Sequence, residues 1–400
     1  MKEFLFFKIE NLNQKWKEYN ILKFLIFCIG INFFYSFFKI KLGFLEFGMS
    51  DSWAMWSAKA RYYTDFFLLG KNIILNHPQM EHANYPNYLP MTLSGIGILL
   101  KGWDIKISYG FHFFFAILFL FTLTKIWKPK KVLDAIFGIL IFAHLFTNFY
   151  FLEIASDLCA DFLVGVFFAW GYYYFLKMIN GDLSFTNLAK FIALGSVILG
   201  IKNEGQVLFA ILVLSLFIFL FFEKLFSKVF RGMYSISESD PKPKKTNLNS
   251  MILLSIAILL FMISFAYNLQ IKYGVNARSD FQLSIDSIFT NFQNFEKIKM
   301  IYDFFSKFHV FETNYSFLIF ILLIIFFATN KKIYPILPIM IALIFYNVVF
   351  LFSSSDLSWH LNTAYYRINS QLFPTLYLAT IYYSKNISEK ISAKGHTPNF

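Results

Sequence analysis

Apolar runs about as long as a bilayer is thick recur along this chain, and short lysine-bearing segments separate them. The first, residues 21–40, already has the roughly 20 residues a helix needs to cross a hydrocarbon core of about 30 Å. Inside that core each backbone N–H and C=O must be satisfied within its own segment. The runs are too long for barrel strands and lack their alternation, so they can only be helices. With 57% hydrophobic and 15% charged residues, the 400-residue chain lacks the polar surface of a soluble domain. The fold class is all-α, a polytopic membrane protein. The runs predict ten spans, near 21–40, 109–126, 133–152, 160–178, 189–201, 206–222, 251–271, 315–329, 333–352 and 368–383. Residues 89–100 are apolar but too short to span alone, and they read as interfacial or re-entrant.

A net charge of +12 could suggest nucleic acid. The lysines and arginines instead gather in short segments between spans, as in Lys125, Lys128, Lys130 and Lys131 or Lys331 and Lys332, which is the pattern that orients a membrane protein. Placing both termini in the cytoplasm puts most of these cations inside, so no nucleic-acid partner is expected. Residues 21–40 are long for a signal peptide and lack a small-residue exit, so they read as an uncleaved anchor. Residues 227–249 form a polar cytoplasmic linker. It divides an N-terminal half, 1–226 with the first outside loop at 41–108, from a C-terminal half, 250–400. Cys28 and Cys159 fall in or beside apolar runs and read as packing residues.

This topology collects the chemistry-bearing residues outside, in 41–108, 153–159, 202–205 with 272–313, and 353–367. Trp53, Trp56, Ala60, Tyr63 and Phe67 recur at helical spacing, as do Phe281, Ile285, Ile288, Phe292 and Phe295; each set predicts an interfacial helix with an apolar stripe on lipid. Asp51 stands just beyond the first span, at the lipid–water boundary where a lipid-borne substrate would meet it. It reads either as a catalytic acid or as a helix cap beside Ser50 and Ser52. Glu153, Asp157 and Asp161 share one helix face. Acids at a span entrance need a polar cavity, a cation or a basic partner, and Asp161, one turn deeper, could pack against a lysine. Lys202-Asn203-Glu204-Gly205 interrupts an apolar stretch and reads either as a tight hairpin with a Lys–Glu pair or as a cation aimed at a phosphate. In the last outside segment Arg367 suits a phosphate through its bidentate fork, and His360 could bond a phosphate or shuttle a proton. His77 and His82 lack a third ligand for zinc.

No Walker loop, GxGxxG or HExxH occurs, so a soluble nucleotide donor has no binding loop and a donor dissolved in the membrane fits better. In order along the chain, Asp51, Trp53, Trp56, Lys59-Ala60, His77-Pro78, Tyr85-Pro86, Asp157, Lys202-Asn203-Glu204-Gly205 and Trp359-His360 with Arg367 resemble the GT-C superfamily of integral-membrane glycosyltransferases. The closest resemblance is to its bacterial branch related to protein mannosyltransferases and lipid A aminoarabinose transferases. The resemblance implies a location in the bacterial inner (plasma) membrane with the active site on the outer face. It also implies a polyprenyl-phosphate-linked sugar donor, a glycan, lipid or protein acceptor, and inversion at the anomeric carbon. Asp51 then matches the general base or a metal-linked acid, and Asp157 the acid of the second outside loop. Lys59, Arg61, Lys202, Arg367 and His360 become candidates for the donor phosphate. Whether Asp51 and Asp157 share a divalent cation stays open.

The chain departs from the commoner pattern in three places. Asp51 is followed by Ser-Trp rather than a second acid, residues 79–84 separate His-Pro from Tyr-Pro, and no large C-terminal soluble domain is expected. Two other readings fit the same class: a transporter or flippase of lipid-linked glycans, and a non-catalytic membrane scaffold.

Overall fold

The computed structural model describes residues 2–44, 51–70, 85–129, 132–233, 290–308, 334–353 and 356–384. Every described element is a helix. Four helices are long and apolar enough to cross a membrane: Tyr19–Phe44, Lys106–Ile126, Ala160–Ile179 and Asn203–Phe221. A fifth crossing is available if the bent pair Asp134–Thr147 and Phe149–Ser156 counts as one span. The chain is thus an all-helical protein with several membrane-length helices. The expected spans at 251–271 and 315–329, and His77 and His82, lie outside the described residues.

The helices are α1 (Lys2–Phe44), α2 (Ala58–Leu69), α3 (Tyr88–Leu99), α4 (Lys106–Ile126), α5 (Val132–Thr147), α6 (Phe149–Ser156), α7 (Ala160–Ile179), α8 (Phe185–Ile201), α9 (Asn203–Met233), α10 (Phe295–Ser306), α11 (Leu337–Val348), α12 (Leu357–Ser370) and α13 (Phe373–Ser384). α7 is central and packs on α8, α9, α13 and α4. Two thirds of its span is buried in protein, 67%, against 22% for α1, whose outer face is left for lipid. Phe119, Phe151, Phe162 and Tyr377 fill the middle of the bundle.

Two expected spans are broken where a polar residue interrupts the apolar run. Within 133–152 the axis bends by 58°. Asn148 sits at the bend, and its side chain accepts a hydrogen bond from the Phe151 N–H at 3.1 Å, starting a new helix at α6. Within 368–383, α12 ends at Ser370 and α13 starts at Phe373, with Pro374 in its first turn, where a missing N–H costs nothing. The 189–201 run is α8, 17 residues long and outside the membrane-length group, and 333–352 holds the shorter apolar helix Leu337–Phe352.

The first loop holds a π-helical turn, Ser52–Ser57, leading into α2, with α3 packed beside it. The stripe expected on lipid is turned inward at Trp56 and Ala60, both buried, while Phe67 stays exposed. Tyr62, Phe66 and Leu69 join Phe67 on the outward side. The inversion has a simple cause: α3 offers Leu89 and Leu93 as an apolar partner, and protein and lipid satisfy an apolar stripe equally well.

Candidate functional site

The site gathers at one end of the bundle, where α1 ends, α7 begins, α8 meets α9 and α12 runs toward its C-terminus. Arg367 of α12 donates from Nη1 to Oδ2 of Asp51 at 2.5 Å, joining residues 316 apart in sequence. The same Nη1 lies 4.0 Å from the Cys159 sulfur. Lys202, in the break between α8 and α9, donates to Oδ1 of Asp161 at 2.8 Å and lies 3.0 Å from Oε1 of Glu204. Gln371 Nε2 adds a second donor to that Asp161 oxygen. Lys41, one turn before the end of α1, lies 3.2 Å from Oδ1 of Asp157 and 3.7 Å from Oε1 of Glu153. In these contacts five carboxylates face three cations, a formal excess of two negative charges.

Local backbone makes this convergence possible. Gly205 lets the α8–α9 hairpin close: a Cβ there would stand 2.2 Å from the Ile198 carbonyl oxygen. Gly165 of α7 lets Gln371 approach, since its Cβ would meet the Gln371 carbonyl oxygen at 2.5 Å. Between α6 and α7, Leu158 holds a left-handed φ of 61°. That costs a branched residue about 1–2 kcal/mol and turns the chain between Asp157 and Asp161. The carbonyl of the next residue, Cys159, lies 3.2 Å from Nε2 of buried His112, whose Nδ1 is 2.9 Å from the Ser108 carbonyl oxygen.

The acids differ in exposure. The Asp51 side chain is 31% exposed, Asp157 only 1% and Asp161 2%. Asp51 is therefore the carboxylate at the mouth, and the other two lie behind it. Burial, opposed by Lys41, pushes the Asp157 carboxyl up to about 6. Lys202 is held above the ordinary lysine range: Asp161 and Glu204 outweigh the burial that would lower it. Among the described residues, Oδ2 of Asp157, Nε of Arg367 and Oε2 of Glu204 are buried without a hydrogen-bond partner.

Of the residues singled out from sequence, the structure brings Asp51, Asp157, Lys202 and Arg367 into this neighbourhood. The pairing of Asp161 with a lysine and the Lys202–Glu204 hairpin contact are present as read. Lys59 is buried in α2, and burial pushes its amine down to about 8. Arg61, on the same helix, is 70% exposed and lies 3.9 Å from Asp65, so it is not part of the cluster. His360 stands two turns from Arg367, about 10 Å along α12; its Nδ1 is 2.7 Å from the Ser353 hydroxyl and its ring packs on Phe350. Tyr85 of the Tyr-Pro motif joins the site, its ring edge-on to Trp56 and 6.0 Å from the Lys202 ammonium. Lys41, His112 and Gln371 were not found from sequence; a polar residue at the edge of an apolar run is the one signal each carried. Asp51 and Asp157 are each bound by a basic side chain, and no group of three His, Cys, Asp or Glu side chains among the described residues is arranged to hold a metal ion.

Fold and composition define the class, an all-helical chain with membrane-length apolar helices. Comparison with protein-family models, curated proteins and solved structures finds no match to this chain.

Proposed function

We propose that this protein is a GT-C-type integral-membrane glycosyltransferase. It moves a sugar, with inversion, from a polyprenyl-phosphate donor to an acceptor at the outer face of a bacterial inner membrane. The observation that carries the reading is the Asp51–Arg367 pair at the mouth of a charged cluster, beside the amphipathic segment Ser52–Leu69. An acid partly open to the outside, backed by cations, is what transfer from a lipid phosphate requires.

In the proposed step Asp51 takes the proton of the acceptor hydroxyl as its oxygen attacks the anomeric carbon. The bond from that carbon to the phosphate oxygen breaks on the opposite face, and the lipid phosphate leaves with the electron pair. A positioned carboxylate contributes about 10²–10⁴ in rate. Arg367, the more exposed of the two, stabilises the growing phosphate charge, and buried Lys202 adds to the positive field in a site of low dielectric. Arg367 can serve both partners, because Nη1 holds Asp51 while the side chain keeps 14% of its surface exposed. Asp157 is too buried to meet the acceptor and acts through its neighbours.

Among the described residues, an open apolar groove of about 440 Å³ lies between α10 and α11, lined by Phe292, Ile301, Phe305, Met340 and Leu343 among others. Both helices also pack on α12, which carries Arg367. Its chemistry suits a lipid chain.

The test is sugar transfer by purified protein in liposomes containing polyprenyl-phosphate sugars. Wild type transfers, and Asp51→Asn loses about two to four orders of magnitude. Full activity in that variant ends the assignment of Asp51 as base. Translocation of the lipid-linked sugar without transfer replaces the whole reading with a transporter.

A further inference from the structure

Three acids surround the Arg367 guanidinium electrostatically: Asp51 in direct contact, with Asp157 and Asp161 behind. Arg367 bonds only the first. Each of the other two has a cation of its own, Lys202 for Asp161 and Lys41 for Asp157. Asp157 is the less secure of the pair. Among the described residues its Oδ2 is buried without a partner, and Lys41 must also serve Glu153. Arg367 meanwhile has a buried Nε without a partner among the described residues. Above the pH at which its raised carboxyl ionises, an Asp157 without Lys41 would therefore compete with Asp51 for the same guanidinium, since a buried charge left unpaired is strongly unfavourable.

The geometry points to Lys41 as a positioning residue: by neutralising Asp157 it keeps Arg367 on Asp51, and so keeps the acid at the mouth of the site aimed and charged. Its place suits the role. α1 is the least buried of the membrane-length helices, and its Lys41 end is tied across to the junction of α6 and α7 by this contact. The pairing stands on the structure alone; its effect on sugar transfer rests on the glycosyltransferase reading.

The experiment measures modification of Asp51 by a water-soluble carbodiimide at mildly alkaline pH, where Asp157 is ionised, read by mass spectrometry on the purified full chain in detergent. Arg367→Gln sets the level for an Asp51 that has lost its partner. Lys41→Met should raise Asp51 modification about ten-fold, toward that level, as expected for loss of a charge-assisted hydrogen bond. Lys41→Arg should stay at the wild-type level. Lys41→Met with Asp157→Asn should return to it, because the competing carboxylate is gone. A general loosening of the fold would not be reversed by that second substitution. Wild-type modification in Lys41→Met overturns the proposal, as does a double variant that stays high. Sugar transfer is followed in the same preparations, and Lys41→Met should lower it while Lys41→Arg restores it. A wild type that transfers no sugar counts against the glycosyltransferase reading and leaves the modification result to decide the role of Lys41.

Discussion

Replacing Lys202 by Met removes a buried charge while keeping most of the side chain's length and apolar volume. Lys202 is 5% exposed and lies 2.8 Å from Asp161, itself 2% exposed. At an effective dielectric of about 20, charges at that separation attract by about 6 kcal/mol. Desolvation of both groups offsets most of this, so the intact pair adds little net stability over an apolar substitute. The single variant is different, because among the described residues Asp161 keeps only Gln371 as a side-chain donor and stays buried with its charge. We therefore expect Lys202→Met to cost about 3–5 kcal/mol. Asp161→Asn should cost less, because Lys202 retains Glu204 at 3.0 Å on the more open side. The double variant should recover much of the loss, giving a coupling of about 2 kcal/mol or more in a double-mutant cycle. Unfolding in mild detergent, titrated with SDS and followed by circular dichroism, measures all four proteins. A Lys202→Met cost below about 1 kcal/mol, or costs that simply add, refutes the reasoning.

Asp157 predicts a pH effect on stability. Its carboxyl is raised from the ordinary 3.8 to about 6, so the folded state binds the proton more tightly than the unfolded chain. The stability this contributes is fully present below pH 3.8 and is lost as pH rises through about 6, a change of about 3 kcal/mol. The stability difference between wild type and Asp157→Asn, measured by thermal unfolding between pH 4 and about 7, should move by that amount, and a flat difference counts against it. Gly165→Ala should destabilise by about 1–3 kcal/mol, because the new methyl meets a backbone oxygen that cannot swing away. Its thermal midpoint against that of Gly95→Ala, where nothing lies near the added methyl, checks this.

The helical class was legible because bilayer-length apolar runs leave the backbone no alternative, and α1, α4, α7 and α9 lie where those runs lie. The breaks were less legible. Asn148 and Pro374 are the local signals, but hydrophobicity summed over a window hides one amide in a run of Phe and Leu. The inward turn of Trp56 was beyond periodicity, which finds an apolar face without saying whether lipid or α3 covers it. Within the site, Asp51, Asp157, Lys202 and Arg367 stood out as charges at span ends. Lys41 did not, because the partner that gives it meaning lies 116 residues away and no spacing encodes that contact.

The cluster is poorly explained as a stability device. Ion pairs buried this deeply are near neutral against apolar residues of the same volume, and breaking one is costly, so they add fragility rather than strength. Leu158 adds a left-handed backbone that only the surrounding packing maintains. The formal excess of two negative charges is itself unfavourable in a low-dielectric setting. Three unfavourable features at one end of a mainly apolar bundle mark a place where the chain departs from what folding alone prefers. Such a departure is expected where charge must be held ready for a substrate. Asp51, the most open member of the cluster, is where that substrate would arrive, and Arg367 is the residue both would share.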